Sequence, residues 1–182
     1  ASVDNNSGIM YVPSNDIPTF IWLEENNKEY TYYKYTMRGK IIKDQFGYPG
    51  SKPPWGRLTA IDLNTGKIIW KIPFGEYEEL TKKNIPITGT YNYGGVTATA
   101  GGLVFATGTL DNKIRAFDSK TGKELWNYRL PFSGSSPPTI YEYNNEQYVL
   151  VAATGSISLR KAFPEISKSG NIEIFTTEES DK

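Results

Sequence analysis

The chain has 182 residues, room for one domain or at most two. Lys plus Arg and Asp plus Glu both count 20, so the formal net charge is zero, which argues against nucleic acid as a partner because phosphate binding needs a basic surplus. There is no Cys and no His, which excludes disulfide scaffolds, Cys/His zinc sites, Cys nucleophiles and His-based triads.

Any proton transfer therefore falls to Asp, Glu, Lys or Tyr. Aromatics make up 14% of the chain, with 17 Gly and 11 Pro. Short apolar runs between turn residues read as an all-β fold. The longest apolar runs are far below the roughly 20 residues of a membrane helix. The N-terminal ASVDNNSGIM has neither a basic region nor an apolar one.

In chain order, Gly8 to Val12 is the first predicted strand. Residues 13–54 then form a long insertion rich in Tyr, Pro and Gly. Loops of that length in compact domains are functional or disordered, and the aromatic density argues against disorder. Leu58 to Asp62 alternates like a half-buried strand, Asn64-Thr65-Gly66 is turn chemistry, and Lys67 to Lys71 returns as a second strand. The charged stretches Glu24 to Lys28 and Glu76 to Lys83 read as solvated loops or one short helix.

The second half repeats the first. Gly94 to Ala100 and Gly102 to Thr107 are strands, followed by a second hairpin from Ile114 to Arg129. Ala60, Asp62, Thr65, Gly66, Lys67 and Trp70 recur as Ala116, Asp118, Thr121, Gly122, Lys123 and Trp126 at a constant offset of 56 residues. Thr139 to Tyr143 and Gln147 to Ala152 flank the turn pair Asn144-Asn145, and Ile172 to Phe175 is a last short strand. The pattern is a partial β-propeller of about three four-stranded antiparallel blades. The expected boundaries are residues 1–74 for the first blade with its insertion, 92–131 for the second, 134–177 for an incomplete third, and 178–182 for a tail. Because they occupy identical repeat positions, Asp62 and Asp118 are expected to serve their turns rather than form a catalytic carboxylate pair. Lys67 and Lys123 are expected in solvent, and Trp70 and Trp126 to dock on the neighbouring blade.

The two Ala-Asp-Gly-Lys-Trp hairpins resemble the tryptophan-docking motifs of the quinoprotein dehydrogenases that depend on pyrroloquinoline quinone (PQQ). NIPITGTYNYGGVTATAGGLVFATGTLDNKIRAFDSKTGKELWNYRLP (84–131), GYPGSKPPWGRLTAIDLNTGKIIWKIPFGEYEEL (47–80) and GIMYVPSNDIP (8–18) are similar to the C-terminal region of the glucose-dehydrogenase-like members. The likeness covers nearly all of the chain to about Ser156. Residues 156–168 depart from the family pattern, which leaves their register open.

The resemblance implies the C-terminal three blades or so of an eight-bladed propeller. It implies PQQ and Ca2+ as cofactors and a sugar such as glucose, or an alcohol, as substrate. It also implies a quinone or cytochrome electron acceptor, and a location in the periplasm or on the outer face of the inner membrane. The catalytic Asp and most Ca2+ ligands are implied upstream of Ala1, so no residue here is assigned as catalytic or as a metal ligand. The isolated chain is expected to be inactive and to self-associate or be only marginally stable without its remaining blades. Asn15, Asn92 and Tyr93 stand where the family approaches PQQ. Asn15 reads equally as a turn residue, Tyr93 also as a core aromatic, and Trp55 as either the lip of a substrate mouth or loop packing. The rival reading is a cofactor-free propeller scaffold that binds proteins, of the outer-membrane assembly type.

Overall fold

The computed structural model describes residues 1–26, 32–155 and 171–176. It separates into two compact units: Ala1–Asp16 with Pro53–Lys182, and Ile17–Lys52. The first unit holds three antiparallel sheets. One consists of β1 (Ser2–Asp4), β2 (Ile9–Asn15), β5 (Gly56–Asp62) and β6 (Lys67–Pro73), hydrogen-bonded in that order. The second consists of β7 (Val96–Ala98), β8 (Leu103–Ala106), β9 (Lys113–Asp118) and β10 (Glu124–Arg129). The third has β11 (Thr139–Tyr143), β12 (Glu146–Ala153) and β13 (Asn171–Thr176). One short helix, α1 (Glu78–Thr81), lies between β6 and β7, within the charged stretch expected as loop or helix.

Period-two alternation explains why the middle sheet is buried on both faces. In β8, Val104 and Ala106 join a core with Tyr11, Leu58, Ala60, Trp70 and Phe74 of the first blade, together with Val96 and Phe117. Their alternates Leu103 and Phe105 turn to the other side, with Ile114, Ala116 and Leu130, against Val149, Val151 and Ala153 of the third blade. Each fully buried Val, Leu or Phe contributes about 1.5–3 kcal/mol. The middle strands β8 and β9 are therefore buried nearly end to end, whereas β2 fully buries Tyr11 alone and β5 buries Leu58, Thr59 and Ala60.

The strand-connecting turns follow one recipe, and it occurs three times rather than twice. Asp62 Oδ1 accepts from the Asn64 N–H at 2.8 Å and its Oδ2 from the Thr65 hydroxyl at 2.8 Å. Asp118 Oδ1 accepts from the Thr121 N–H and hydroxyl at 2.8 and 2.7 Å. Asp4, between β1 and β2, does the same with the Asn6 N–H at 3.0 Å and the Ser7 hydroxyl at 2.6 Å. These hydroxyl bonds hold all three carboxyl groups below the usual aspartate range. Each turn closes on a glycine with φ between 69° and 71°: Gly8, Gly66 and Gly122.

The Trp70 ring lies directly on the Asp118 turn. Its indole N–H donates to the Ser119 carbonyl at 2.9 Å, and the Tyr11 hydroxyl reaches the same oxygen at 3.3 Å. A Cβ on Gly122 would come within 2.8 Å of the Trp70 ring atoms Cδ2 and Cε3. Trp126 instead meets the third blade, edge-to-face with Phe175 at 5.6 Å between centroids and beside Tyr128.

Two stretches differ from expectation. The insertion 13–54 is not an irregular loop: β2 continues through Pro13 to Asn15, and the second unit holds a β-hairpin of β3 (Thr19–Glu25) and β4 (Tyr35–Ile41), which among the described residues pair only with each other. Glu24 and Glu25 accordingly belong to a strand rather than to a charged loop. The strand expected over Gly94 to Ala100 shortens to β7, because Gly94 and Gly95 instead pack backbone against the next connections. Asn144 and Asn145 both take positive φ, 51° and 64°, as a tight hairpin turn requires. The variable-register residues 156–168 and the tail 178–182 lie outside the described residues.

Candidate functional site

The sequence-nominated residues converge where β2 ends and the β6–β7 connection arrives. Asn15 and Asn92, 77 residues apart, grip each other. The Asn15 side-chain amide donates to the Asn92 carbonyl at 2.9 Å, and the Asn92 backbone N–H donates to Asn15 Oδ1 at 2.8 Å. The Asn92 side-chain amide donates to the Ser14 carbonyl at 3.1 Å. Asn92 is only 4% exposed; its polar groups face protein, which makes it a strut. Asn15 is exposed and commits one of its two amide hydrogens to Asn92, leaving the other toward solvent.

Tyr93 follows the strut and is 52% exposed. Its backbone N–H donates to the Gly108 carbonyl at 2.9 Å, and Asn92 bridges to Thr109 in the same β8–β9 connection. A Cβ on Gly108 would come within 2.3 Å of Gly94 Cα. The glycine after Tyr93 thus lets two backbones touch and fixes where the ring emerges. Tyr91 sits beside it; burial, then the neighbouring Tyr93, pushes its hydroxyl above the ordinary tyrosine range.

Trp55 takes the packing alternative. It is 5% exposed and meets Tyr77 edge-on at 5.6 Å. Its N–H donates to the Thr88 carbonyl at 2.7 Å, and its carbonyl accepts from the Asp16 N–H at 2.8 Å. Its ring is packed rather than open to solvent.

One feature escaped the sequence reading. Asp111 in the β8–β9 connection is buried against Arg115, which it binds through both guanidinium nitrogens Nη1 and Nη2. Asp111 Oδ2 also accepts from the Glu76 N–H at 2.9 Å, tying this connection to the one after β6. Arg115 donates further to Glu124 at 3.1 Å. Burial pushes the Asp111 carboxyl up, but the Arg115 hydrogen bonds and charge outweigh it, and the group titrates below the usual aspartate range. The available signal was Arg115 itself, a cation between Ile114 and Ala116 on a strand whose neighbours are all apolar, four residues after an Asp.

The arrangement has little acid–base capacity of its own. It presents one exposed aromatic face and one open amide donor on a rigid base. A flat, oxygen-rich group fits this chemistry: the ring supplies contact area and the amide bonds a carbonyl or carboxylate oxygen. Among the described residues, no three His, Cys, Asp or Glu side chains group closely enough to hold a metal, and no helix is long and apolar enough to cross a membrane.

Comparison with known proteins agrees with the fold. The family model described as "PQQ: Glucose/ethanol/alcohol dehydrogenase, beta-propeller domain" matches residues 1–149. A probable quinate dehydrogenase (quinone) of Xanthomonas campestris pv. juglandis is 44% identical over 129 residues, 67% of this chain and 16% of that protein. The glycerol dehydrogenase large subunit of Gluconobacter oxydans is 41% identical over 119 residues, 62% of this chain and 16% of that protein. The chain therefore spans about one sixth of the length of these relatives. Among solved structures, a europium-containing methanol dehydrogenase superposes with a TM-score of 0.66 over 96% of this chain and 31% of its own, at 22% identity, a likeness of fold. The strand order, the repeated Asp–Gly turns with their tryptophans and the matching family model lead to one conclusion: the chain belongs to the PQQ β-propeller family of glucose, ethanol and alcohol dehydrogenases.

Proposed function

We propose that this chain is the C-terminal portion of a PQQ-dependent dehydrogenase that oxidises a sugar, polyol or other alcohol. The observation that carries the reading is Tyr93, an aromatic ring held half-exposed directly after Asn92, which is bonded to the exposed Asn15, in a chain of this family. The relatives are named for quinate, glycerol and glucose, which favours a hydroxylated substrate without singling one out. PQQ, when bound, accepts the hydride from the alcohol carbon.

In this reading the Tyr93 ring lies against the cofactor and excludes water from its face. The Asn15 amide donates to a cofactor oxygen, and Asn92 fixes both from behind. Ca2+ and the carboxylate that takes the substrate proton are supplied by the rest of a longer protein, so the 182-residue chain alone is inactive. The electron acceptor is a quinone or a cytochrome, and the protein works in the periplasm or at the outer face of the inner membrane. The experiment is reconstitution of the full-length protein with PQQ and Ca2+, followed by a dye-linked assay over glucose, glycerol and quinate. Turnover of at least one, with PQQ affinity reduced about tenfold or more by Tyr93→Ala (about 1.4 kcal/mol), supports the assignment. Neither PQQ uptake nor activity in the full-length protein would sink it.

The missing blades have a physical correlate. On the first blade, Val3, Met10, Val12 and Ile61 share the face turned away from Trp70, and Val3 is 42% exposed. Such a face is covered by another sheet or by a second copy. The isolated chain is expected to self-associate or to melt early. Light scattering combined with a thermal melt checks this, and a monomer of high melting temperature would count against it.

A further inference from the structure

The backbone that carries Tyr93 is sewn to the β8–β9 connection along a short seam. The Thr90 hydroxyl accepts from the Leu110 N–H at 3.1 Å, Asn92 bridges to Thr109, and the Tyr93 N–H donates to the Gly108 carbonyl at 2.9 Å. That last anchor sits on permissive backbone. Gly108 has φ 95° and lies against Gly94, and glycine torsions supply little stiffness of their own. The next residue supplies it. Thr109 is wholly buried. Its hydroxyl donates to Asp111 Oδ1 at 2.5 Å and accepts from Arg115 Nη1 at 3.2 Å. From the other side the Ser133 hydroxyl donates to the Thr109 carbonyl at 3.1 Å. Hydrogen bonds to charged partners in a dry interior are strong and directional, so both the side chain and the backbone of Thr109 are fixed.

We propose that Thr109 is a positioning residue for the Tyr93 ring: its hydroxyl, seated between Asp111 and Arg115, holds the Gly108 carbonyl from which the Tyr93 backbone hangs. The inference rests on the reading of Tyr93 as the ring that lies against the cofactor. Thr109 is wholly buried and Arg115 4% exposed, so neither touches a bound group, and the effect passes through the backbone. A ring that must lie flat on a rigid ligand needs placement within about 0.5 Å, which a supporting shell of locked side chains provides. A β-branched apolar side chain would fill the same space as Thr109. The hydroxyl is what couples the glycine-rich seam to the buried ion pair, and without it Gly108 is free to swing while the sheet stays folded.

The test uses the full-length protein and reads PQQ affinity by titration in the presence of Ca2+, together with hydrogen exchange of the peptide spanning Tyr91 to Gly95 without PQQ. Thr109→Val keeps the shape and loses the hydroxyl; it lowers PQQ affinity about fivefold, the worth of one buried hydrogen bond. It also speeds exchange in that peptide and leaves exchange in β5 unchanged. Thr109→Ser restores the hydroxyl and brings both readouts back toward wild type. In the Tyr93→Ala background, Thr109→Val adds no further loss of affinity, because it acts through the ring. Ser133→Ala frees the same carbonyl and gives the same pattern in smaller measure, which serves if Thr109→Val does not fold. Unchanged affinity in Tyr93→Ala sinks the cofactor reading and this inference with it. Loss of affinity in Tyr93→Ala but not in Thr109→Val or Ser133→Ala overturns this inference alone. So does an additive loss in the double variant, or an equal loss of affinity in Trp126→Ala, which weakens the same sheet away from the seam.

Discussion

Trp70 and Trp126 occupy the same position in two copies of one sequence motif, but they end in different surroundings. Trp70 is nearly buried, its N–H bonded to Ser119 and its ring resting on Gly122 of the next blade. Trp126 is half-buried and leans on Phe175 and Tyr128. The glycines show the same asymmetry from the receiving side: a Cβ on Gly122 would strike Trp70, whereas one on Gly66 would meet nothing within 4 Å. The motif thus encodes the hairpin and the turn, while the neighbouring blade decides whether the tryptophan and the turn become an interface.

The largest expected break in this comparison is Trp70→Ala. It removes a buried ring and its hydrogen bond, and should cost about 3–5 kcal/mol, whereas Trp126→Ala should cost about half as much. Urea unfolding of both variants checks the order. Equal losses would mean that the indole contact with Ser119 and Gly122 adds nothing beyond ring burial.

Next in size is Asp111→Asn, which takes from the buried Arg115 its buried counter-charge, leaves it only the more exposed Glu124, and should cost about 3 kcal/mol. It separates the rigidity of the middle blade from its contact with the first. Its pH dependence follows from the lowered carboxyl. A group whose folded value lies below its unfolded one stabilises fully above the ordinary aspartate value of about 4. That contribution fades as pH falls through the lowered folded value. Melting temperatures should therefore fall more steeply in the wild type than in Asp111→Asn between about pH 4 and the lowered folded value, and run parallel below it. Curves parallel across that interval would refute the assignment.

The smallest effect, and the sharpest contrast, is expected from Gly122→Ala against Gly66→Ala. Both force a side chain into positive φ at about 1 kcal/mol. Gly122→Ala must also displace the Trp70 ring, adding about 1–2 kcal/mol of overpacking. Equal costs in denaturant unfolding would show that the ring yields freely.

Much of the fold was legible because the repeat carries its own chemistry. Asp62 and Asp118 announced their turns, and the strands of both hairpins were legible, although β9 is buried on both faces rather than on the one that alternation predicts. The third turn, at Asp4, is not legible as a repeat because Asp4-Asn5-Asn6-Ser7-Gly8 lacks the Lys and Trp that follow the other two. The β3–β4 hairpin was overlooked for a physical reason: Phe20-Ile21-Trp22-Leu23 is apolar on both faces, so it has no alternation to read. At the site, sequence singled out Asn15, Asn92 and Tyr93 together. That Asn15 and Asn92 bind each other is a contact across 77 residues that no local pattern encodes, and the Asp111–Arg115 pair was hidden for want of any reason to expect a buried cation.

The Ser119 carbonyl receives two donors from the first blade, the indole of Trp70 and the hydroxyl of Tyr11. The Trp70 indole proton is therefore a local clock: it can exchange with deuterium only when the two sheets part. Its exchange rate, set beside those of the amides within β8 and β9, would tell whether the blades separate as whole plates before either one melts.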